Sequence, residues 1–340
     1  MTVRPNVVVA LLVSALGPVG TANAQYAFSQ IDFPGATQTI VNSINNSGHY
    51  VGNYNLNGPG GGFAPRGGDS SGSPFIFDGN QITSVPHSVP YLFYTGINNN
   101  DAVSGNFAYN AQPPQGWTSL LIQTDPNMLH GFGVNTDAYG LNDLGTAVGS
   151  LHTTVDTYPA IWGPPNQINT AAAGRVNFGI NDDPGLIVGT AGFVGGSFSG
   201  YVTDAAHQAL GQVLYGISVP GEVPGTTQAF GINNSGDVVG TYNGFDGHYH
   251  GYLYSGGTFT TIDMPIHGID GTVAMGINDH DQIVGYYSSG GIEHGFIADP
   301  IAGIPEPPTL AMFAAGLGLL GFAALRRTEA QHAAVRRAAC

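Results

Sequence analysis

The sequence predicts an all-β protein, a six-bladed β-propeller of four-stranded repeats, plus one C-terminal transmembrane helix. Three observations predict it. One short motif is written six times along the chain. Only 9% of the residues are charged while 53 are glycine, the mix of short strands and tight turns rather than of helices. An uncharged apolar stretch, residues 309–325, stands near the C-terminus.

The motif is clearest in "GINNSGDVVGTY" (231–242) and "GINDHDQIVGYY" (276–287). An aliphatic residue followed by Asn recurs at Asn45, Asn98, Asn142, Asn181, Asn233 and Asn278. In five copies a Gly stands seven residues after the Asn: Gly52, Gly105, Gly149, Gly240 and Gly285. The fourth copy, "INDDPGLIVG", carries one inserted residue, so Gly189 falls at eight. The Asn residues are spaced by 53, 44, 39, 52 and 45, which is a tandem array and governs the reading of the fold.

Each copy reads as a hairpin. "GIN" ends one strand, a polar turn follows, and "DVVG" or "QIVG" begins the return. Asn hydrogen-bonds the backbone two residues on, so these six residues are expected to be structural turn residues. The competing reading is that the repeated Asn and Asp side chains bind calcium. The Gly after the Val pair marks a bulge or the close approach of another backbone, and the crowded region between blades offers such a place. Two more strand-like pieces accompany each hairpin. Downstream stand "PFIF" (74–77), "WTSLLI" (117–122), "PAIW" (159–162), "GYVTD" (200–204), "HGYLY" (250–254) and "HGFIAD" (294–299); upstream stand "FSQID" (28–32), "QITSV" (81–85) and "FTTID" (259–263). Four short strands over about 45 residues suit a propeller blade. Six sequential blades fit, and so does a closure in which one strand is exchanged between the first and last blades. A solenoid and an open β-sandwich pair are the other architectures of this pattern.

The body, residues 25–303, holds 18 Asp and 2 Glu against Arg66 and Arg175, and the chain has no Lys. A surface this acidic repels phosphate backbones and excludes nucleic acid as a partner. Calcium or cationic polymers are what such a charge tolerates. The single cysteine, Cys340, lies beyond the apolar stretch, so no disulfide staples the body and apolar burial must hold it, as a monomer.

The first 24 residues read as a signal peptide: Arg4, the apolar run 7–16, then Ala22 and Ala24 at the spacing a signal peptidase cuts after. At the other end, Pro305, Glu306 and Pro307 precede the apolar helix 309–325, and Arg326 and Arg327 follow it, with a cytoplasmic tail at 328–340. Tripeptide, apolar helix and Arg pair together resemble the PEP-CTERM sorting signal (304–327). That resemblance implies a Gram-negative source, exosortase as a partner, cleavage near the tripeptide, and delivery to the cell surface or matrix. The body pattern G-I-N-x-x-G-x-V-V-G, with H-G-F/Y and T-T-I-D, resembles the HAF extracellular repeats; the fifth and sixth copies match best and the third departs furthest.

Candidate chemistry is sparse. "GDSSG" (68–72) sits in a Gly/Pro/Ser-rich insertion and reads as a loop. "HYH" (248–250), His294 and "DHD" (279–281) are the weak metal candidates, and Glu222 and Glu293 the carboxylates a glycosidase would need. His250 and His294 share one repeat position, where other copies have Ser199, Tyr158 or Ser73. With no catalytic, cofactor or metal motif, the expectation is an exported, non-enzymatic surface or biofilm-matrix protein with a structural or binding role, with exopolysaccharide or another envelope component as the candidate partner. The alternatives are a carbohydrate-active enzyme and a calcium-dependent glycan-binding module on the same scaffold. Replacing Pro305, Glu306 and Pro307 by alanine should leave uncut precursor in the membrane fraction; normal release of that variant, read by immunoblot, would count against the sorting signal.

Overall fold

The computed structural model describes residues 25–56, 72–85, 92–108, 117–122, 129–134, 136–153, 155–163, 167–170, 173–192 and 199–301. The signal segment, residues 68–71 of "GDSSG", the stretch 309–325, and the sorting residues Pro305, Glu306, Pro307, Arg326 and Arg327 lie outside them. Residues 1–300 form one compact unit; of the second, 301–340, only Ile301 is described. Among the described residues no helix is long and apolar enough to cross a membrane.

Twenty-four strands make six four-stranded modules. The N-terminal strand is β1 (Gln25–Ile31). Module one is β2 (Gln38–Ile44), β3 (Tyr50–Asn55), β4 (Ser73–Phe77) and β5 (Ile82–Ser84). Module two is β6 (Phe93–Ile97), β7 (Val103–Ala108), β8 (Trp117–Ile122) and β9 (Leu129–Val134). Module three is β10 (Thr136–Leu141), β11 (Ala147–His152), β12 (Thr157–Gly163) and β13 (Gln167–Thr170). Module four is β14 (Arg175–Ile180), β15 (Ile187–Ala191), β16 (Ser199–Thr203) and β17 (Tyr215–Ile217). Module five is β18 (Gln228–Ile232), β19 (Val238–Asn243), β20 (Tyr249–Ser255) and β21 (Thr258–Ile262). Module six has only three consecutive strands, β22 (Gly271–Ile277), β23 (Ile283–Ser289) and β24 (Ile292–Ile301), and β1 pairs with β24 as its fourth.

That pairing fixes the phase of the repeat. "FSQID", "QITSV" and "FTTID" are the fourth strands of the modules they close, so each belongs to the module before the hairpin it precedes in sequence. The strand exchange left open by the sequence is made. A lone parallel bridge, Tyr249 to Gly271, joins modules five and six into one eight-stranded sheet. No sheet among the described residues closes on itself; the closure is between sheets. The first strands β2, β6, β10, β14, β18 and β22 lie beside one another in that order, and β22 returns to β2. One five-residue helix, Ala205–Ala209, was not legible from apolar periodicity; it is too short to show any, and Asp204 caps it by accepting from the His207 N–H.

Two glycines have separate jobs in five of the repeats; the first has Ser43 in place of one of them. Every first strand carries a register shift between the residues four and two before its Asn, as between Ala138 and Gly140. Opposite this bulge sits the Gly after the Val pair: a Cβ on Gly149 would come within 1.8 Å of the Asp137 carbonyl oxygen and 3.0 Å of the Trp162 ring. Its crowding therefore lies inside the module, against the bulged strand: of the two readings the sequence offered, it marks the bulge, and the region between modules does not make this contact. The approach between modules is made by the Gly of "GIN": a Cβ on Gly140 would meet the Phe178 carbonyl oxygen at 2.8 Å in the next first strand.

Each neighbouring pair of modules shares an apolar cluster, because one twisted sheet cannot cover both of its own faces. Val51 meets Tyr94 and Val103; Ala102 meets Leu141 and Trp162; Val148 meets Ile187; Val202 meets Ala229 and Val238; Leu253 meets Ala274 and Phe296; Ile31 and Val284 meet Val41 and Phe75. A seventh cluster takes Ile40, Phe93, Tyr139, Phe178, Phe230 and Met275, one from each first strand, and fills the centre. Phe296 is fully buried and its ring lies 5.6 Å from that of Phe28 on the exchanged strand β1. Phe296→Ala should therefore lower unfolding stability by about 3–5 kcal/mol, read as the shift of the urea midpoint at unchanged slope.

Candidate functional site

The six motif asparagines end the six first strands, and all are buried, only 3 to 6% exposed. Their side chains face two ways. The Oδ1 atom closes the turn of its own module: Asn98 accepts from the N–H groups of Asn100 at 3.0 Å and Ala102 at 2.9 Å. Asn45 and Asn278 do the same two and four residues on. Asn142, Asn181 and Asn233 each hold a backbone N–H four or five residues on; the inserted residue of the fourth copy moves that donor to Leu186.

The Nδ2 atom leaves the module. Asn45 donates to the carbonyl of Asn98, Asn98 to that of Asn142, Asn142 to Asn181, Asn181 to Asn233, Asn233 to Asn278, and Asn278 back to Asn45. The six bonds span 2.9 to 3.3 Å and form a closed cycle. At two junctions a turn carboxylate in the next module accepts as well. Asp101 (φ 58°) takes Asn45 at 2.8 Å, and Asp281 (φ 58°) takes Asn233 at 3.2 Å. Burial first, then Asp237 and Asp279 nearby, raise the Asp281 pKa above the ordinary carboxylate value.

A second cycle lies beside the first and was not read from the sequence. The residue after each Asn is again Asn or Asp: Asn46, Asn99, Asp143, Asp182, Asn234 and Asp279. Each backbone N–H donates to the Oδ1 of the next module's residue, at 2.6 to 2.8 Å, and Asp279 returns to Asn46. The amide groups of Asn46, Asn99 and Asn234 donate to the remaining carboxylate oxygens of Asp279, Asp143, Asp182 and Asp279 again. Every carboxylate of this ring accepts at least two hydrogen bonds. The signal that would have found the ring was the unbroken run of Asn and Asp at this position.

These two cycles rim a central cavity of about 90 Å³ whose lining includes Tyr139, Phe178, Phe230 and Met275 from the apolar filling. Most of its polar lining is made of turn residues bonded to one another; the strand residues Asn42, Ser43 and Thr95 complete it, Asn42 and Thr95 donating to the carbonyls of Tyr94 and Ala138 in the next module. Of "DHD", Asp279 belongs to the second cycle, the His280 N–H donates to Asn278, and Asp281 receives Asn233.

The two repeat-equivalent histidines do one job. The His250 Nδ1 lies 2.7 Å from Asp263 and its ring stacks on Tyr242 at 5.2 Å; the His294 Nδ1 lies 3.1 Å from Asp32 and its ring stacks on Tyr287 at 5.2 Å. Asp263 and Asp32 are the final letters of "FTTID" and "FSQID", so the His joins a third strand to its fourth. His250 also meets Asp246 through Nε2 at 3.1 Å. His248 turns away, with Nδ1 on the Asp270 carbonyl. Among the described residues no group of three His, Cys, Asp or Glu side chains could hold a metal. Glu222 accepts from the hydroxyls of Ser218, Thr226 and Thr227, and Glu293 from the Gln38 amide, so the two carboxylates serve separate structural networks.

Asn98→Ala removes one donor and one doubly used acceptor from a buried site, leaving an inter-module carbonyl without its amide. The expected loss is about 2–3 kcal/mol, against under about 0.5 kcal/mol for the exposed Asn100→Ala, both read from urea unfolding.

Residues 303–327 match the model of the PEP-CTERM protein-sorting motif, which marks the chain for export and exosortase sorting to the cell envelope or surface. No curated protein matches the sequence. The structure is similar to TolB from Acinetobacter baumannii, at 11% identity and TM-score 0.48 over 78% of this chain and 64% of TolB. It is similar to AofleA from Arthrobotrys oligospora, at 11% identity and TM-score 0.46 over 81% of this chain and 89% of that one. A third likeness is to Trypanosoma rangeli sialidase, at 10% identity and TM-score 0.43 over 77% of this chain and 54% of the sialidase.

Proposed function

We propose that the body is a six-bladed β-propeller of HAF type that serves the cell surface or extracellular matrix as a structural or binding element, without catalysis of its own. The cyclic order of the modules, with β1 completing the last, supports the propeller reading. The sorting motif at 303–327 supports the address, with exosortase as the processing partner and the apolar stretch 309–325 as the membrane segment before cleavage.

One observation carries the non-enzymatic reading. A propeller places chemistry at the mouth of its central channel, and here the Asn and Asp turn residues of the mouth are bonded to each other in two closed cycles. The carboxylates there are already engaged: Asp143, Asp182 and Asp279 each accept on both oxygens from neighbouring turns, and among the described residues no His, Lys or second acid is bonded to them as a catalytic partner. Binding would then fall to the acidic outer surface, where exopolysaccharide or another envelope polymer is the partner that the address makes available, with calcium as a bridging ion.

The purified body should bind a subset of matrix glycans on an array, in calcium or without it, and release no reducing sugar from them. Hydrolysis of any arrayed glycan would overturn the non-enzymatic reading. Hydrolysis that persists in Asp143→Asn, Asp182→Asn and Asp279→Asn variants would place the chemistry away from the mouth.

A further inference from the structure

The fourth strand of module six comes from the opposite end of the body. β1 is tied to β24 with no disulfide, and its linker to β2 is six residues, 32–37. At the end of β1 the side chains converge on one imidazole. The His294 Nδ1 lies 3.1 and 3.2 Å from the two oxygens of Asp32 and 3.3 Å from the Gln30 Nε2. Gln30 in turn donates to Asp32 at 2.6 Å and accepts from the Tyr287 hydroxyl at 2.8 Å. An acceptor and a donor therefore compete for one ring nitrogen. A protonated Nδ1 can only donate, to Asp32; in the neutral ring that carries its proton on Nε2, a bare Nδ1 can only accept, from Gln30, and in the other neutral tautomer the bond to Asp32 loses its charge.

We propose that His294 is a proton-operated latch on the exchanged strand, holding β1 to β24 through Asp32 while the ring is protonated and slackening that hold when it is not. The groups that face the ring all favour the charged form or are neutral. From β1 come Asp32 and Gln30; from β23 comes Tyr287, stacked on the ring; on β24 Glu293 adjoins it. Behind these stands Asp270, which acts on Glu293, while the Gln38 amide of β2 bonds Glu293. No cation is among them. The hydrogen bond to Asp32 raises the His294 pKa above its ordinary value, burial works against it, and the charges of Asp32 and Glu293 add to the rise. A folded value above the unfolded one means that the stabilisation is full below the unfolded value of about 6.5 and is lost as pH climbs through the folded value. Module five holds the matching contact, His250 with Asp263, but there the two strands are consecutive and separated by a two-residue turn, Gly256–Gly257, so loss of the proton frees no chain end.

Amide hydrogen exchange of the full chain tests the latch. Protection of β1, corrected for intrinsic exchange, should fall up to about tenfold per unit of pKa difference between pH 5.5 and pH 8.5, while protection of β3 and β19 stays level. In His294→Gln the β1 protection should be flat with pH and match the high-pH value of the parent. Flat β1 protection in the parent, or an equal fall in His294→Gln, would overturn the proposal. Should the variant not fold, titration of the His294 ring by NMR in the parent decides: a value clearly above 6.5 supports the latch, and an ordinary value sinks it.

Discussion

The fold depends on a carboxamide that can accept with one end and donate with the other. Asn alone among short side chains carries the two on separate atoms, with an acceptor near enough to its own backbone to close a turn and a donor left over to cross a boundary. Repeated at the end of each first strand, it couples turn formation inside a module to contact with the next. Asp would close the turn and repel the neighbouring carbonyl, and Ser would lack the reach. Hydrogen bonds of this kind add little each when water is the alternative. Here the sites are buried, and leaving one unmade costs more than making it gains. The cycle therefore acts less as glue than as a selector of one spacing and one number of modules.

Apolar burial supplies the bulk of the cohesion, and its distribution follows from the same geometry. Each module is a four-stranded sheet with two apolar faces, so each must lie between two others. The Gly of "GIN" lets first strands approach to backbone contact, and that approach brings the Asn carbonyl within reach of its neighbour's amide. The bulge just before it turns the strand end inward and explains the second glycine, over which the bulged carbonyl passes. Motif, bulge and cycle are one device seen at three scales.

Much of this was legible in the sequence because the constraint recurs. Six turns with the same needs wrote the same letters, and the offset of seven between Asn and Gly is the distance from the strand end to the site under the bulge. What was not legible had no local signature. A four-strand period looks the same whichever strand is counted first, so only the pairing of β1 with β24 could fix the module boundaries. The outward half of the Asn amide was invisible because its partner lies 39 to 53 residues away, and 233 at the closure of the ring. The His–Asp contact was written once in short form, His250 with Asp263. It was written a second time across 262 residues, His294 with Asp32, where no window would join them. The metal candidates lost their distinctness for the same reason: a His that recurs at a strand end had a carboxylate waiting on the adjoining strand.

The exchanged strand has a consequence for how the molecule is made. β1 is the first part of the body to emerge from a translocation pore, and β24 is the last. The earliest strand thus has no partner until the whole body has crossed. Pairings of such sequence separation form slowly, whereas the other five modules pair strands consecutive in sequence. Completion of the ring therefore requires the whole body of the chain, from its first strand to its last.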